Sequence, residues 1–339
     1  MGAVFSRGIF ARWRSLRYVS FAVAHPVVLE TFAVLGLSLA AGMSFYSTFA
    51  RCGLGALTLG YLALPWDSSA LPPSRNHVKL HRKQAEIVEH EHDVLWSEAV
   101  KPCGPATGEQ YVVVGGAGFL GRRIVHALLL RGETKVRVVD MDDKGLAAMR
   151  DPRVEVVRGD VTQRSQADAF LKGADVVFAP VASIRYWEWE HKHYERSASV
   201  NVTGARVLTE ACAAAGVKRL VATSTATVVN AFPAIMPKGV DERTPTTDWA
   251  ASCSNYASSK AHGERIYLAA NGKQGMAVGV CRPCTQIYGF NDKSYFDRAM
   301  QTSTFFVLNG NLRTDYVHVD HVVLAELLLE ARLRNGPAD

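Results

Sequence analysis

The chain has 339 residues, 48% hydrophobic and 21% charged, enough for about two folded units and a sizeable core. Its 27 Gly, 13 Pro and 6 Cys exclude a collagen-like repeat, a disordered tail and a disulfide mini-protein. The net charge of +6 is mostly N-terminal: residues 1–66 hold Arg7, Arg12, Arg14, Arg17 and Arg51 against the single acid Glu30, so no Lys/Arg cluster marks the rest of the chain and no nucleic-acid partner is expected.

The first predicted element is an amphipathic basic segment, FSRGIFARWRSLRYVSF from Phe5. Phe5, Ile9, Trp13 and Leu16 share one helical face, with Arg7, Arg14 and Arg17 opposite. It suits an anionic lipid surface and also has the Arg-rich, acid-poor character of a mitochondrial or plastid presequence. Met1-Gly2 with Ser6 fits the loose myristoylation pattern, for which a chance match is the preferred reading. Thr31 to Ala50 then carries no charge over 20 residues, and at 1.5 Å per residue spans about 30 Å, the thickness of a bilayer core. A second uncharged run, Cys52 to Trp66, is a re-entrant piece or the return arm of a hairpin. Residues 1–66 are therefore expected to anchor the protein in a membrane, the endoplasmic reticulum being preferred over mitochondrion or plastid. Whether one crossing or two is left open.

Residues 67–108 read as a polar linker with one exposed helix between Pro/Gly breaks. His90 with His92, and His191 with His193, have metal-pair spacing but sit among charged residues, so no metal is expected. Cys281-Arg-Pro-Cys284 lacks a second pair, and reduced structural thiols are the expectation. Asn201-Val-Thr203 fits a glycosylation acceptor but falls at the start of a predicted buried helix.

From residue 110 the pattern changes. Gln110–Val114, Lys135–Asp140, Arg153–Val157, Asp175–Ala179, Arg219–Thr223 and Met276–Arg282 read as short strands. Helices at about 119–130, 142–150, 163–172, 203–215 and 257–270 lie between most of them. This alternation predicts an α/β fold, a Rossmann-type doubly wound parallel sheet over residues 109–339. The first strand runs into Gly115-Gly116-Ala117-Gly118-Phe119-Leu120-Gly121 and then into a helix. A tight strand-to-helix turn, close backbone approach to a pyrophosphate and close helix–sheet packing each disfavour a Cβ, and Gly115, Gly118 and Gly121 answer these needs. The amides of Phe119 and Leu120 open the helix toward the phosphates. Asp140 ends the next strand 19 residues after Gly121, placed to accept both ribose hydroxyls of NAD and to repel the 2′-phosphate of NADP. Asp142 and Asp143 reinforce this, and only Lys144 opposes them. Asp160 and Val161, after the third strand, are expected beside the adenine.

Asn255-Tyr256-Ala-Ser-Ser-Lys260 puts a Tyr and a Lys four apart on one helical face. A phenol with an ordinary pKa near 10 serves as a base near neutrality only with help, and an adjacent ammonium and the nicotinamide cation supply it. Thr225, or Ser224, at the preceding strand end is placed to donate a hydrogen bond to a substrate oxygen.

Taken together, VGGAGFLG at 114–121, RGDV at 158–161, NVTGARVLTEACAAAGVKRLVATSTATVV at 201–229, YASSK at 256–260, RPCTQIYG at 282–289 and DYVHVDHV at 315–322 resemble the extended short-chain dehydrogenase/reductase family. The closest style is that of its 3β-hydroxysteroid and sterol-4α-carboxylate dehydrogenase branch. The resemblance covers residues 110–325 and implies hydride transfer at a secondary alcohol, such as the 3β-hydroxyl of a sterol. It implies Tyr256 as proton acceptor, Lys260 as its partner, Thr225 as the third member, and Asn201 and Pro283 by the nicotinamide half. Ala179-Pro180-Val181-Ala182 departs from the family's usual His-x-Ala-Ala ending of the fourth strand. The family continues beyond a point equivalent to Asp339, so a truncated C-terminal substrate lobe is expected. The partners expected are a small apolar substrate, a membrane and, as one option, a second copy in a homodimer. Two other readings are a nucleotide-sugar epimerase or dehydratase, and a non-catalytic dinucleotide-binding subunit.

Overall fold

The computed structural model describes residues 96–185, 188, 190–230, 239–247, 252, 254–284, 286–289, 292 and 315–335. The anchor, hairpin, presequence and myristoylation readings, and His90 and His92, lie outside the described residues. Among the described residues no helix is long and apolar enough to cross a membrane.

Six strands form one sheet: β1 (Tyr111–Val114), β2 (Val136–Asp140), β3 (Val154–Arg158), β4 (Val176–Ala179), β5 (Arg219–Thr223) and β6 (Ala277–Cys281). Their order is β3-β2-β1-β4-β5-β6, and every pairing is parallel. The residues explain why both faces are covered. In β1 Tyr111 and Val113 enter one core layer, while Val112 and Val114 enter the other. A strand with alternate side chains on opposite faces must be apolar throughout when both faces are buried, as YVVV is.

One layer carries α1 (Phe119–Arg131) and α7 (Val319–Leu333), whose Ile124, Leu128, Val323 and Leu327 are fully or almost fully buried. The other carries α3 (Arg164–Phe170), α5 (Ala205–Ala215) and α6 (Asn255–Leu268), contributing Phe170, Leu208, Ala211 and Tyr267. The short helices α2 (Asp143–Ala147) and α4 (Tyr194–Ala198) complete the set, with a parallel pair of strands, β7 (Gln286–Tyr288) and β8 (Tyr316–His318), ahead of α7. The doubly wound expectation is met, with strand ends within about two residues of those read from the sequence.

Three differences have physical reasons. Residues 96–100 are helical, and Trp96, Val100 and Cys103 enter the α1/α7 core layer, so the end of the supposed polar linker is part of the fold. The apolar spacing of Trp96, Val100 and Cys103 was hidden by the charges before it. The helix expected from residue 203 starts at Ala205 and is preceded by a π-helical turn, Ser199–Gly204, within which Asn201 is buried. At the opposite end of the sheet from the glycine turn, Glu330 of α7 binds Arg131, Arg219 and Arg334 while Glu109 pairs with Arg219, a buried charge cluster that no sequence period announces.

Candidate functional site

The strand order changes direction between β1 and β4, so a crevice opens at the carboxyl ends of those strands. The glycine turn sits there. Gly115 has φ +85°, and a Cβ on it would lie 2.9 Å from Val181 Cα, so the chain after β4 presses directly on the turn. A Cβ on Gly121 would overlap Gly115 O, which is what allows α1 to start so close to the sheet. Gly118 is the N-cap of α1 and supplies no side-chain acceptor, so the first-turn amides, including those of Phe119 and Leu120, face the crevice mouth without a capping group. This uncapped turn fits a pyrophosphate.

Asp140 ends β2 beside it. Its Oδ2 accepts from Ala117 N at 3.0 Å, and its Oδ1 from Met141 N and Asp142 N at 2.8 and 3.0 Å. The carboxylate is thereby locked against the glycine turn while staying partly exposed. Gly159 N donates to Asp140 O at 3.0 Å, tying the RGDV segment to the same corner. Asp160 itself turns to its own loop, accepting from Thr162 N and Oγ1 at 2.8 Å, and Val161 is buried. The acids are not unopposed: Arg158 pairs with Asp143, and Arg122 donates from Nε to Ala117 O at 2.7 Å.

On the other side of the crevice stands α6, capped by Ser254, whose side chain accepts from Ala257 N. Tyr256 and Lys260 are both buried, at 4% and 6% exposure. Lys260 Nζ donates to Thr223 O, the last residue of β5, at 2.6 Å. Asn201 is held by Ser183, accepting from its N at 2.8 Å and donating to its O at 3.0 Å. It also donates to Ser259 Oγ at 3.0 Å, and Ser259 donates to Tyr256 O at 2.9 Å. The π-helical turn and α6 are thus stitched together behind the Tyr–Lys face. A buried Asn201 side chain with three hydrogen bonds also rules out the glycosylation reading.

The two hydroxyls at the end of β5 divide. Ser224 Oγ donates to Glu264 Oε2 at 2.5 Å. Thr225 caps the short 3-10 turn Ala226–Val229, its Oγ1 3.1 Å from Thr227 Oγ1. Ala226 N donates to Pro283 O at 2.7 Å, joining the RPC segment to this corner. Val181, Asn201, Thr223, Ser224, Lys260 and Glu264 line one small cleft.

Sequence reasoning passed over the charges behind this face. Glu264, one turn after Lys260, pairs with Arg282 at 2.5 Å. Glu326 of α7 accepts from Thr223 Oγ1 at 2.5 Å and is fully buried. Burial brings Lys260 down to about 8, with Glu264 and Glu326 opposing the fall, so it remains mainly an ammonium at pH 7. Glu264 was findable, being four residues from Lys260 on one helix; Glu326 was signalled only as an acid inside the apolar run VVLAELLL. Gly263 was missed too: a Cβ there would run into Asn201 O. The thiols of Cys281 and Cys284 are free, burial raises both, and among the described residues no group of side chains could hold a metal.

The profile of the family described as "NAD dependent epimerase/dehydratase family" matches residues 111–338. The chain is 31% identical over 245 residues to an Arabidopsis thaliana protein named 3beta-hydroxysteroid-dehydrogenase/decarboxylase isoform 1, covering 66% of this chain and 53% of that one. It is 35% identical over 205 residues to a Mycobacterium tuberculosis 3 beta-hydroxysteroid dehydrogenase/Delta 5-->4-isomerase, covering 60% and 52%. Among solved structures, a double mutant of the dTDP-glucose 4,6-dehydratase DesIV from Streptomyces venezuelae, with NAD and DAU bound, superposes with a TM-score of 0.55 at 25% identity, covering 66% and 72%. The chain spans about half the length of the curated relatives it matches. A family match over two thirds of its length places the chain in the NAD dependent epimerase/dehydratase family.

Proposed function

We propose that the protein is an NAD-dependent oxidoreductase that oxidises a secondary alcohol, the 3β-hydroxyl of a steroid or sterol. The observation that carries this reading is Lys260: a buried ammonium fixed to the end of β5, one helical turn from Tyr256, across the crevice from an uncapped glycine turn. The names of the Arabidopsis and Mycobacterium relatives support the substrate class.

Gly115, Gly118 and Gly121 with the amides of Phe119 and Leu120 would hold the pyrophosphate, Asp140 the adenosine ribose, and Asp160 and Val161 the adenine edge. Asn201 and Pro283 would flank the nicotinamide half. Bound NAD supplies the hydride acceptor. Tyr256 takes the proton from the substrate hydroxyl, and the Lys260 ammonium favours the phenolate by direct attraction. Thr225 orients the substrate oxygen, since Ser224 is engaged by Glu264. Asp140 accepts ribose hydroxyls on oxygens already held by backbone amides, which favours NAD over NADP.

Residues 1–66 are assigned as the membrane anchor, consistent with an apolar substrate concentrated in a bilayer, at the endoplasmic reticulum. Residues from about 96 onward form the NAD-binding unit, and a homodimer is part of the same reading. The test is turnover by the detergent-solubilised full chain with NAD. It is read as net NAD reduction with a panel of 3β-hydroxysteroids, and as product formation by chromatography with nucleotide sugars, whose epimerisation or dehydration returns the hydride to the sugar and leaves no net NADH. Turnover with the steroids alone supports the proposal. Turnover with the sugars alone would replace it by the epimerase/dehydratase reading, and NAD binding without any turnover by the non-catalytic one.

A further inference from the structure

Behind Lys260 lies a carboxylate that the mechanism above does not use. Glu326 is fully buried, and its Oε1 accepts from Thr223 Oγ1 at 2.5 Å. The same Thr223 presents its carbonyl oxygen to Lys260 Nζ at 2.6 Å. One residue at the end of β5 therefore carries the Lys260 ammonium on its backbone and the Glu326 carboxyl on its side chain. Glu326 Oε2 is buried and has no hydrogen-bond partner among the described residues. A buried carboxylate with one bare oxygen requires either a nearby cation or its own proton.

The cation at hand is Lys260. The groups facing Glu326 are Thr223 from β5, Lys260 from α6 and Cys281 from β6. The guanidiniums that α1 sends to α7, Arg123 and Arg131, engage Asp320 and Glu330 instead. Lys260 in turn faces Glu264, itself committed to Arg282 and Ser224. We propose that Glu326 is a positioning residue for Lys260: joined to it through Thr223, its negative charge keeps the lysine protonated, and so extends to higher pH the range in which Lys260 supports Tyr256. This rests on the roles given to Tyr256 and Lys260 above. Burial pushes Glu326 up to about 7 against the Thr223 hydrogen bond and the Lys260 charge, so both members change charge close to neutrality.

The coupling is reciprocal and is read without any substrate. Infrared spectra of the full chain, titrated through neutral pH, should show a protonated-carboxyl band that disappears as pH rises and is missing in Glu326→Gln. In Lys260→Met the disappearance should move upward by about one pH unit, and Lys260→Arg, which keeps the charge, should leave it in place. Circular dichroism checks that each variant is folded. In turnover, Glu326→Gln can still accept from Thr223 but lacks the charge, so the alkaline limb should fall by about one unit, and Glu326→Asp should restore part of it. A band indifferent to Lys260→Met, or an alkaline limb unmoved in Glu326→Gln, would overturn the inference. Turnover that survives Tyr256→Phe while the infrared coupling persists would instead defeat the catalytic reading and leave the coupling standing.

Discussion

Gly263→Ala sets two effects of opposite sign against each other. Helix propensity alone says that Ala in place of Gly in the interior of α6 stabilises by up to about 1 kcal/mol. The packing says otherwise. A Cβ at this position would fall well inside 3.0 Å of Asn201 O, a separation that real Cβ atoms essentially never show, with Asn201 C at 3.3 Å and Ala205 Cβ at 3.7 Å beyond it. The obstacle is backbone and cannot rotate away. Helix α6 and the π-helical turn must therefore part by about 1 Å to admit the methyl group. Overpacking of this kind costs about 1–3 kcal/mol, which outweighs the propensity gain at most of its range. For a domain of this size that is a fall in Tm of roughly 2–4 °C per kcal/mol. The same separation stretches the Asn201–Ser259 bond and moves Lys260 away from the end of β5. A shift of about 1 Å at a reacting centre costs on the order of 10²-fold in rate. Differential scanning calorimetry and turnover of the purified variant read the two effects separately. A Tm raised above the parent, with turnover unchanged, would show that the two elements do not meet as closely as described and would refute the reasoning.

Further outcomes follow from other contacts. Glu330→Ala removes the carboxylate shared by Arg131, Arg219 and Arg334 and should destabilise by about 1–3 kcal/mol in chemical denaturation, since Arg131 keeps Glu133 and Arg219 keeps Glu109 while the cluster is left with excess positive charge. Burial acts to raise the Glu330 carboxyl, but the Arg334 and Arg131 guanidiniums outweigh it and hold it below the usual carboxylate range. The stability it contributes is thus present above the unfolded pKa of about 4.3 and lost as pH falls through its lower folded value. Glu330→Gln should flatten that part of an acid-denaturation curve, and an unchanged curve would contradict the assignment. Asp140→Asn should weaken NAD binding by about tenfold or more, and narrow the gap to NADP, in isothermal titration; an unaltered NAD/NADP ratio would count against the carboxylate as the selector. Thr225→Val should lower turnover by about 10²-fold, as loss of a donor to a reacting oxygen does, whereas Ser224→Ala should act mainly on stability, by about 1–3 kcal/mol.

The fold from residue 110 was legible because a parallel sheet buried on both faces demands runs such as YVVV and RLVAT, and the helices between them carry an apolar stripe. The glycine turn was legible for the same kind of reason, since Gly115 at positive φ and Gly121 against the Gly115 carbonyl leave no room for another residue. Tyr256 and Lys260 declared themselves by their spacing. What escaped were contacts between residues far apart in the chain. Thr223 and Glu326 are separated by 103 positions, and Arg219 and Glu330 by 111, so no local pattern joins them. Ser224 and Thr225 were indistinguishable as neighbours in sequence, and only the direction of Glu264 separates their roles. Trp96, Val100 and Cys103 were missed because their apolar spacing follows directly on a stretch dense in His, Lys and Glu.

The most direct measurement compares NAD reduction by the full chain and by Tyr256→Phe, each with a 3β-hydroxysteroid and each shown to bind NAD. The expected result is steroid-dependent reduction by the parent, and none by the variant despite retained NAD affinity. Equal rates in the two proteins would show that the proton leaves by another route and that the buried phenol beside Lys260 is not the base.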